Sequence, residues 1–195
     1  MTRDDDRCAE HERLRRIDEA FKADDLAALR AAVVEAVEDA SAFPNNPMPL
    51  GIGTILTYAI YWSSLGFIEE LLALGADPNG HDHDGFPPLI AALCKTHPHA
   101  GSPARDDVVE VMARLLDAGA DPHLRGLNDW TALHMAVNET NVQAVRLLLS
   151  RGADRELRTR IDDLDTPLEM AKAGAVRRPE GKAELAAIVR LLERA

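Results

Sequence analysis

Apolar residues recur along the chain in two short patterns that are separated by polar turns. One pattern is a leucine pair followed two residues later by Gly-Ala-Asp, and it occurs at 71–77, 115–121 and 148–154. The other follows a Thr or a Pro and carries Leu or Ile and Ala at helical spacing. Its four copies begin at Thr54, Pro87, Thr131 and Thr166. Each pattern has one apolar face, so the chain is predicted to fold into pairs of short amphipathic helices.

Residues at the predicted helix ends support these boundaries. A Thr hydroxyl placed before a first helix can accept from orphan amide groups, and Pro167 lacks the amide that would be orphaned there. Gly75, Gly119 and Gly152 end the second helices, where the backbone needs a positive φ that glycine adopts at little cost. Each pair has too narrow an apolar face to be stable alone, so neighbouring pairs must stack to bury it.

The spacing of the two patterns resembles that of the ankyrin repeat, whose period is about 33 residues and whose unit is a β-turn followed by two helices. The glycines lie 44 and 33 residues apart. Thr131–Ala136 retains the Thr, Leu, His and Ala of the family's Thr-Pro-Leu-His-x-Ala motif, and Thr166–Ala171 retains Thr, Pro, Leu and Ala. The resemblance implies an all-α fold, an α-solenoid of about five helix-turn-helix repeats with β-turn fingers, whose concave side binds a partner protein.

The chain is predicted to form a single domain over residues 1–195. Its parts are a degenerate N-terminal capping repeat (10–40, with helices at Glu12–Ala23 and Asp24–Asp39), a Pro/Gly linker (41–53), repeats at 54–86, 87–130 and 131–165, and a C-terminal capping repeat (166–195). The 44-residue step implies an 11-residue insertion around Lys95–Arg105, between the two helices of the repeat 87–130. Extra residues near Val176–Lys182 are predicted to form a second loop before a closing helix at Ala183–Ala195.

Charge and cysteine content narrow the classes of partner. Asp and Glu number 33 against 22 Lys and Arg, and the net charge of -11 repels phosphate backbones, so we expect no nucleic-acid partner. The sequence has no signal peptide and no run of 18 apolar residues, which predicts a cytoplasmic protein that does not bind membranes. Cys8 and Cys94 are too few for a disulfide framework or a four-cysteine zinc site. The Ala-, Arg- and Asp-rich composition is typical of a GC-rich bacterial genome.

Histidines provide the main candidates for chemistry. His81–Asp84 and His97–His99 each place two imidazoles at alternating positions, but each group lacks the ligands of a closed zinc site, and a predicted helix separates them. No nucleophile elbow, phosphate loop or zinc-protease motif is present. By resemblance His134 is structural, hydrogen bonding within and between turns, and Cys94 is predicted to be inert. We therefore predict no metal, no cofactor and no catalytic residue.

Aromatic residues indicate a binding surface. By the ankyrin resemblance, Tyr61 and Trp62 lie on the concave face, and Phe86 and Trp130 lie at finger tips just before a first helix. Exposed aromatics at such positions concentrate binding energy, although packing into the core is the alternative. Acidic residues surround them and would speed association with a basic partner. The predicted acidic contacts are Asp82, Asp84, Asp129 and Glu139, with Asp163 and Asp165 nearby.

The resulting hypothesis is a non-catalytic protein–protein interaction module. It would bind a partner protein, expected to be basic, through its concave face and act as a regulator, inhibitor or immunity protein. We expect a monomer or a weak homodimer. Two alternatives stay open: a metal-dependent enzyme that uses the His81–Asp84 turn together with Asp129, and a scaffold that associates with itself.

Overall fold

The computed structural model describes residues 3–35, 40–46, 53–80, 86–94, 105–126, 129–161, 164–177 and 180–194. Within these ranges ten α-helices follow one another as five pairs, with a 3-10 turn at Ala40–Ala42. The pairs are α1 (Arg3–Lys22) and α2 (Leu26–Val34), α3 (Ile55–Trp62) and α4 (Leu65–Ala73), α5 (Pro88–Leu93) and α6 (Val108–Asp117), α7 (Ala132–Asn138) and α8 (Val142–Ser150), and α9 (Pro167–Arg177) and α10 (Lys182–Arg194).

The helices form two rows that stack in chain order. In the inner row, α1, α3, α5, α7 and α9 each contact the next, and in the outer row α4, α6, α8 and α10 do the same. One continuous apolar core lies between the rows and extends from Ile17 in α1 to Leu192 in α10. The prediction of an all-α solenoid built from helical pairs is confirmed. In the part of the chain described here, no helix combines the length and the apolar character needed to cross a bilayer.

Helix ends follow the predicted chemistry. The Thr54 hydroxyl accepts from the Thr57 amide at 3.1 Å, which caps α3. Thr166 caps α9 in the same way, and the Glu169 carboxylate accepts from the Thr166 amide in return at 2.8 Å. Gly75 has a φ of 89°, and a Cβ there would meet no atom within 4 Å. The backbone conformation, and not a lack of space, therefore requires glycine at this position.

The main differences from the predicted helix bounds are at the start of α1 and at the ends of α2 and α9; α2 ends at Val34 and not at Asp39. α1 begins at Arg3 and not at Glu12, and the sequence from 3 to 11 holds no Gly or Pro that would interrupt a helix. α9 continues to Arg177, so Val176 and Arg177 are helical and their prediction as part of a loop was wrong. The Ala-rich sequence between 171 and 175 favours this extension, and Pro179 disfavours helical conformation only at the residue before it.

The predicted insertion lies between the two helices of its pair. Only residues 63–64 separate α3 from α4, whereas residues 94–107 separate α5 from α6. Residues 95–104 lie outside the described residues, and the chain is described again from Arg105. The Arg105 guanidinium donates to the carbonyls of Ile60 at 3.0 Å and Ser63 at 2.6 Å, and it pairs with Asp107 at 2.7 Å. With only 9% of its side chain exposed, Arg105 ties the start of α6 to the end of α3.

Asparagine side chains link the loops of consecutive repeats. The Asn45 amide donates to the Gly75 carbonyl at 2.9 Å and accepts from the Asp77 amide at 2.8 Å. Asn79 repeats this arrangement one pair later: it donates to the carbonyl of Gly119 at 3.0 Å and accepts from the amide of Asp121 at 2.7 Å. Each link satisfies one backbone acceptor and one backbone donor that no helix uses.

The third link between loops is incomplete because His123 occupies the position that Asn45 and Asn79 hold in the first two links. His123 Nε2 accepts from the Asp154 amide at 3.0 Å, and its Nδ1 faces the Asp121 carboxylate at 3.2 Å. Neither ring nitrogen donates to the Gly152 carbonyl, which has no hydrogen-bond donor among the described residues. This link therefore makes one inter-loop hydrogen bond where the two asparagines make two.

Substitution His123→Asn is expected to restore the missing hydrogen bond and to raise the free energy of unfolding by about 1 kcal/mol. Urea denaturation at neutral pH measures the change. The reciprocal substitution Asn79→His serves as the matched control and is expected to lower the free energy of unfolding by a similar amount. A His123→Asn protein that is no more stable than the wild type would contradict this account of the loop links.

Candidate binding surface

Tyr61 is a core residue. Only 3% of it is exposed, so the expectation that its ring lies open on the concave face was wrong. The reason is helical register: Tyr61 follows Thr57 by one turn, and Thr57 is on the buried side of α3 with 2% exposed. Tyr61 therefore stabilises the stack and has no surface to offer a partner.

Trp62, the next residue, is half-buried and belongs to a cluster that joins α3 to α1. Its ring centroid lies 6.2 Å from that of Tyr58, and the Lys22 ammonium lies 4.6 Å from the Trp62 centroid. The Tyr58 hydroxyl donates to the Asp18 carboxylate at 3.2 Å. Burial, with the Asp18 charge as a second cause, raises the pKa of Tyr58 to about 12, so the phenol stays protonated. The cluster fixes the Trp62 ring while leaving part of it exposed.

Phe86 and Trp130 occupy equivalent places ahead of the first helices of two consecutive repeats. Each is half-buried, packs against the edge of the core and keeps part of its ring exposed. Trp130 also lies at the edge of a groove. These positions agree with the expectation for finger tips, and partner contact by Phe86 and Trp130 stays a prediction.

The groove beside Trp130 lies between α7 and α9 and has a volume of about 460 Å³. We call it the α7–α9 groove. Its apolar lining comprises Trp130, Val137, Met170, Ala173 and Leu185, and Asp165 and Arg177 contribute charges. Gly174 allows α10 to pack closely against α9 beside the groove: a Cβ on Gly174 would lie 3.3 Å from a methyl carbon of Leu185.

Asp129 is held between two arginines of consecutive fingers. Its carboxylate accepts from Arg125 and from the side chain and amide of Arg160, each at 2.6 Å, and 10% of its side chain is exposed. Arg125 precedes Thr131 by six residues and Arg160 precedes Thr166 by six, so both occupy the same finger position. The hydrogen bonds from Arg160 hold the pKa of Asp129 below its usual range. Asp129 was expected to be a free acidic contact, but two guanidinium groups neutralise its charge, so that expectation was wrong.

Of the remaining predicted acidic contacts, the structure describes only Glu139. Asp82 and Asp84 lie outside the described residues, as do His81, His83, His97 and His99. Glu139 is half-buried and accepts from the Asn138 amide group at 3.0 Å, and its contact with a partner stays a prediction. Within the described ranges, no three His, Cys, Asp or Glu residues are grouped so that they could hold a metal ion.

His134 has the structural role predicted for it. It is fully buried, Thr131 lies 2.9 Å from its Nδ1, and its Nε2 lies 3.2 Å from the Asp165 carbonyl. Because a carbonyl only accepts, Nε2 carries the proton, and the ring joins its own turn to the next finger. Burial lowers the pKa of His134, which keeps the ring neutral. Burial likewise raises the pKa of the Cys94 thiol to about 12, which agrees with an inert cysteine.

One wall of the α7–α9 groove was not predicted from the sequence. Met170, Ala173 and Arg177 line the groove from α9, and of these three only Arg177 falls in the segment that was predicted to be a loop. The Ala-rich continuation after Met170 was the available signal. Alignment of the repeats would also have placed Arg125 and Arg160 at equivalent positions.

Comparison with known proteins identifies the repeat. Residues 103–177 match the family model for ankyrin repeats (3 copies). Alpha-latroinsectotoxin-Lt1a of Latrodectus tredecimguttatus is 31% identical over 143 residues, which cover 73% of this chain and 9% of the toxin. SH3 and multiple ankyrin repeat domains protein 2 of Homo sapiens is 37% identical over 87 residues, 44% of this chain and 4% of that protein. Ankyrin repeat and KH domain-containing protein mask-1 of Caenorhabditis elegans is 31% identical over 122 residues, 62% of this chain and 4% of that protein. The chain thus spans less than a tenth of the length of each of these relatives.

Substitution Asp129→Asn tests the link between the fingers. The folded-state pKa of Asp129 lies below its unfolded value of about 4, so the carboxylate stabilises the fold above that value and ceases to do so as the pH falls through the folded pKa. We expect the variant to be less stable than the wild type between about pH 5 and 7, and the difference to shrink below about pH 4. Urea denaturation across this pH range measures it.

Asp106→Asn is the control. Asp106 is an exposed residue two positions before the start of α6, and its substitution is expected to change stability little at any pH. A difference between Asp129→Asn and the wild type that does not depend on pH would show that charge is not what stabilises the link.

Proposed function

The chain belongs to the ankyrin repeat family, and on that premise we propose that it is a non-catalytic module that binds a partner protein through its inner helices and finger tips. The ankyrin repeat is typically a non-catalytic interaction fold. The observation that carries the proposal is the position of Trp62, Phe86 and Trp130. Each of these side chains packs against the core and is only partly buried, and rigid aromatic side chains that stay partly exposed are how interfaces concentrate binding energy.

Rigidity supports this function. Asn45 and Asn79 link the loops, Arg105 ties α6 to α3, and Asp129 clamps two fingers together. Side chains that are already ordered lose little conformational entropy on docking, so more of the contact energy is available as affinity. A stack held in this way presents a preformed surface, and binding requires no folding step.

The role proposed for the complex is regulation or inhibition, including that of an immunity protein. The net charge of -11 favours a basic partner, mainly by accelerating encounter. The proposed location is the cytoplasm of a bacterium, which the composition and the free thiols of Cys8 and Cys94 support. Asp82, Asp84 and Glu139 remain proposed acidic contacts.

Trp62→Ala and Trp130→Ala are each expected to weaken binding of the native partner by about 2 kcal/mol, because each removes a large, rigid apolar contact. The partner is isolated from the source organism on the immobilised full chain, and isothermal titration calorimetry then measures its affinity for each variant. Far-UV circular dichroism verifies that both variants are folded.

Leu74→Ala is the matched control. Leu74 is a large apolar side chain with 49% exposed, but it lies at the end of the outer helix α4. The proposal predicts unchanged affinity for this variant. If affinity is unchanged in both tryptophan variants, or is lost only in Leu74→Ala, the inner surface is not the binding surface.

A further inference from the structure

We infer that the α7–α9 groove holds an extended segment of the partner protein, with a large apolar side chain at its centre, a basic residue near Asp165 and an acidic residue near Arg177. The inference rests on the proposed function, since it specifies which chemistry the bound partner presents. It depends on three properties of the groove: its volume, the small residues that line it and the charges at its two ends.

The volume and lining of the groove suit an apolar side chain. About 460 Å³ falls within the range of protein pockets that enclose ligands, and the groove is partly open to solvent. Trp130 offers a rigid face on one side and Met170, a flexible side chain that adapts to different shapes, lies on the other. Because neither residue is fully buried by the chain itself, a partner side chain placed between them would bury more apolar surface of both.

Two small residues of α9, Ala173 and Gly174, line the groove. Leu185 of α10 also lines it and lies close to Gly174. Because Ala173 lines the groove, a leucine at position 173 is expected to occupy part of its volume. Since Ala173 is half-buried and leucine is a good helix former, this substitution fills the groove without disturbing the buried core.

Charges of opposite sign mark the two ends of the groove. Asp165 immediately precedes the capping residue of α9, and Arg177 is the last residue of that helix. Neither has an ion-pair partner within 4 Å among the described residues, whereas the neighbouring Arg158 is paired with Glu169 at 2.8 Å. The 11 residues of α9 span about 16 Å at 1.5 Å per residue. An extended segment covers that distance with about five residues.

This arrangement gives a bound segment a direction. A cation at one end would approach Asp165, and a carboxylate about five residues away would approach Arg177 with the geometry that guanidinium groups favour. Both charges also suit the dipole of α9, which favours an acid at its N-terminus and a base at its C-terminus. If the two charges served only the helix dipole, their removal would change stability and leave the choice of ligand unchanged. The helix-dipole explanation can therefore be separated from the explanation by ligand binding.

The test uses a phage-displayed library of random decapeptides selected on the immobilised full chain. The enriched sequences are expected to share a large apolar residue with Lys or Arg on one side and Asp or Glu on the other. The best peptide, synthesised free, is expected to bind Ala173→Leu at least tenfold more weakly than the wild type. Leu74→Ala, the control, is expected to bind it as the wild type does.

The charges are tested by double-mutant cycles. Asp165→Asn is expected to weaken binding of the peptide, but not binding of a peptide in which the basic residue is replaced by alanine. Arg177→Gln is likewise expected to weaken binding of the peptide, but not binding of a peptide in which the acidic residue is replaced by alanine. Thermal unfolding of each variant separates loss of binding from loss of stability. Variants that change stability alone would assign both charges to the helix dipole and overturn the inference.

Other results would also overturn it: no enriched peptide, an enriched family without the paired charges, or equal affinity for Ala173→Leu and the wild type. These results leave the proposed function intact if Trp62→Ala still weakens the native partner, because Trp62 is not part of the groove. Conversely, a native partner that binds both tryptophan variants normally would contradict the proposed function and, because Trp130 lines the groove, the inference as well, even if selected peptides require the groove.

Discussion

Burial of the apolar faces of neighbouring helical pairs is the interaction on which this structure depends. A pair such as α7 and α8 has a single apolar stripe, and that stripe is covered only because α5 and α6 pack on one side and α9 and α10 on the other. The core is therefore continuous along the stack and no pair has one of its own. In such an array stability is close to a sum of nearest-neighbour terms, so each repeat depends on the two that flank it.

The candidate binding surface is a consequence of the same stacking. Trp130 and Val137 come from one repeat and Met170 and Ala173 from the next, so the groove between α7 and α9 exists only where the two are packed together. Polar contacts between repeats fix the details, for example the bond from His134 to the Asp165 carbonyl. The contacts that stabilise the stack are thus the ones that place the exposed rings and charges.

Periodicity predicted the features that depend on local sequence. The helical pairs, their caps and glycines, and the place of the insertion follow from residues that are close together in the chain. Tyr61 shows where this reasoning fails. It lies one position from Trp62, and a shift of 100° around the helix decides between core and surface, which depends on the packing of α3 against its neighbours. The clamp at Asp129 was missed for a related reason, since it joins residues 31 positions apart that meet only when two fingers are stacked.

Hydrogen–deuterium exchange of the full chain, measured with and without its isolated partner, tests the central claim most directly, because it shows which face of the stack the partner covers. The account predicts slower exchange on binding at the finger tips and in the inner helices, above all in 129–138 and 164–177, and little change in α4, α6 and α8. Slower exchange confined to those outer helices would contradict it.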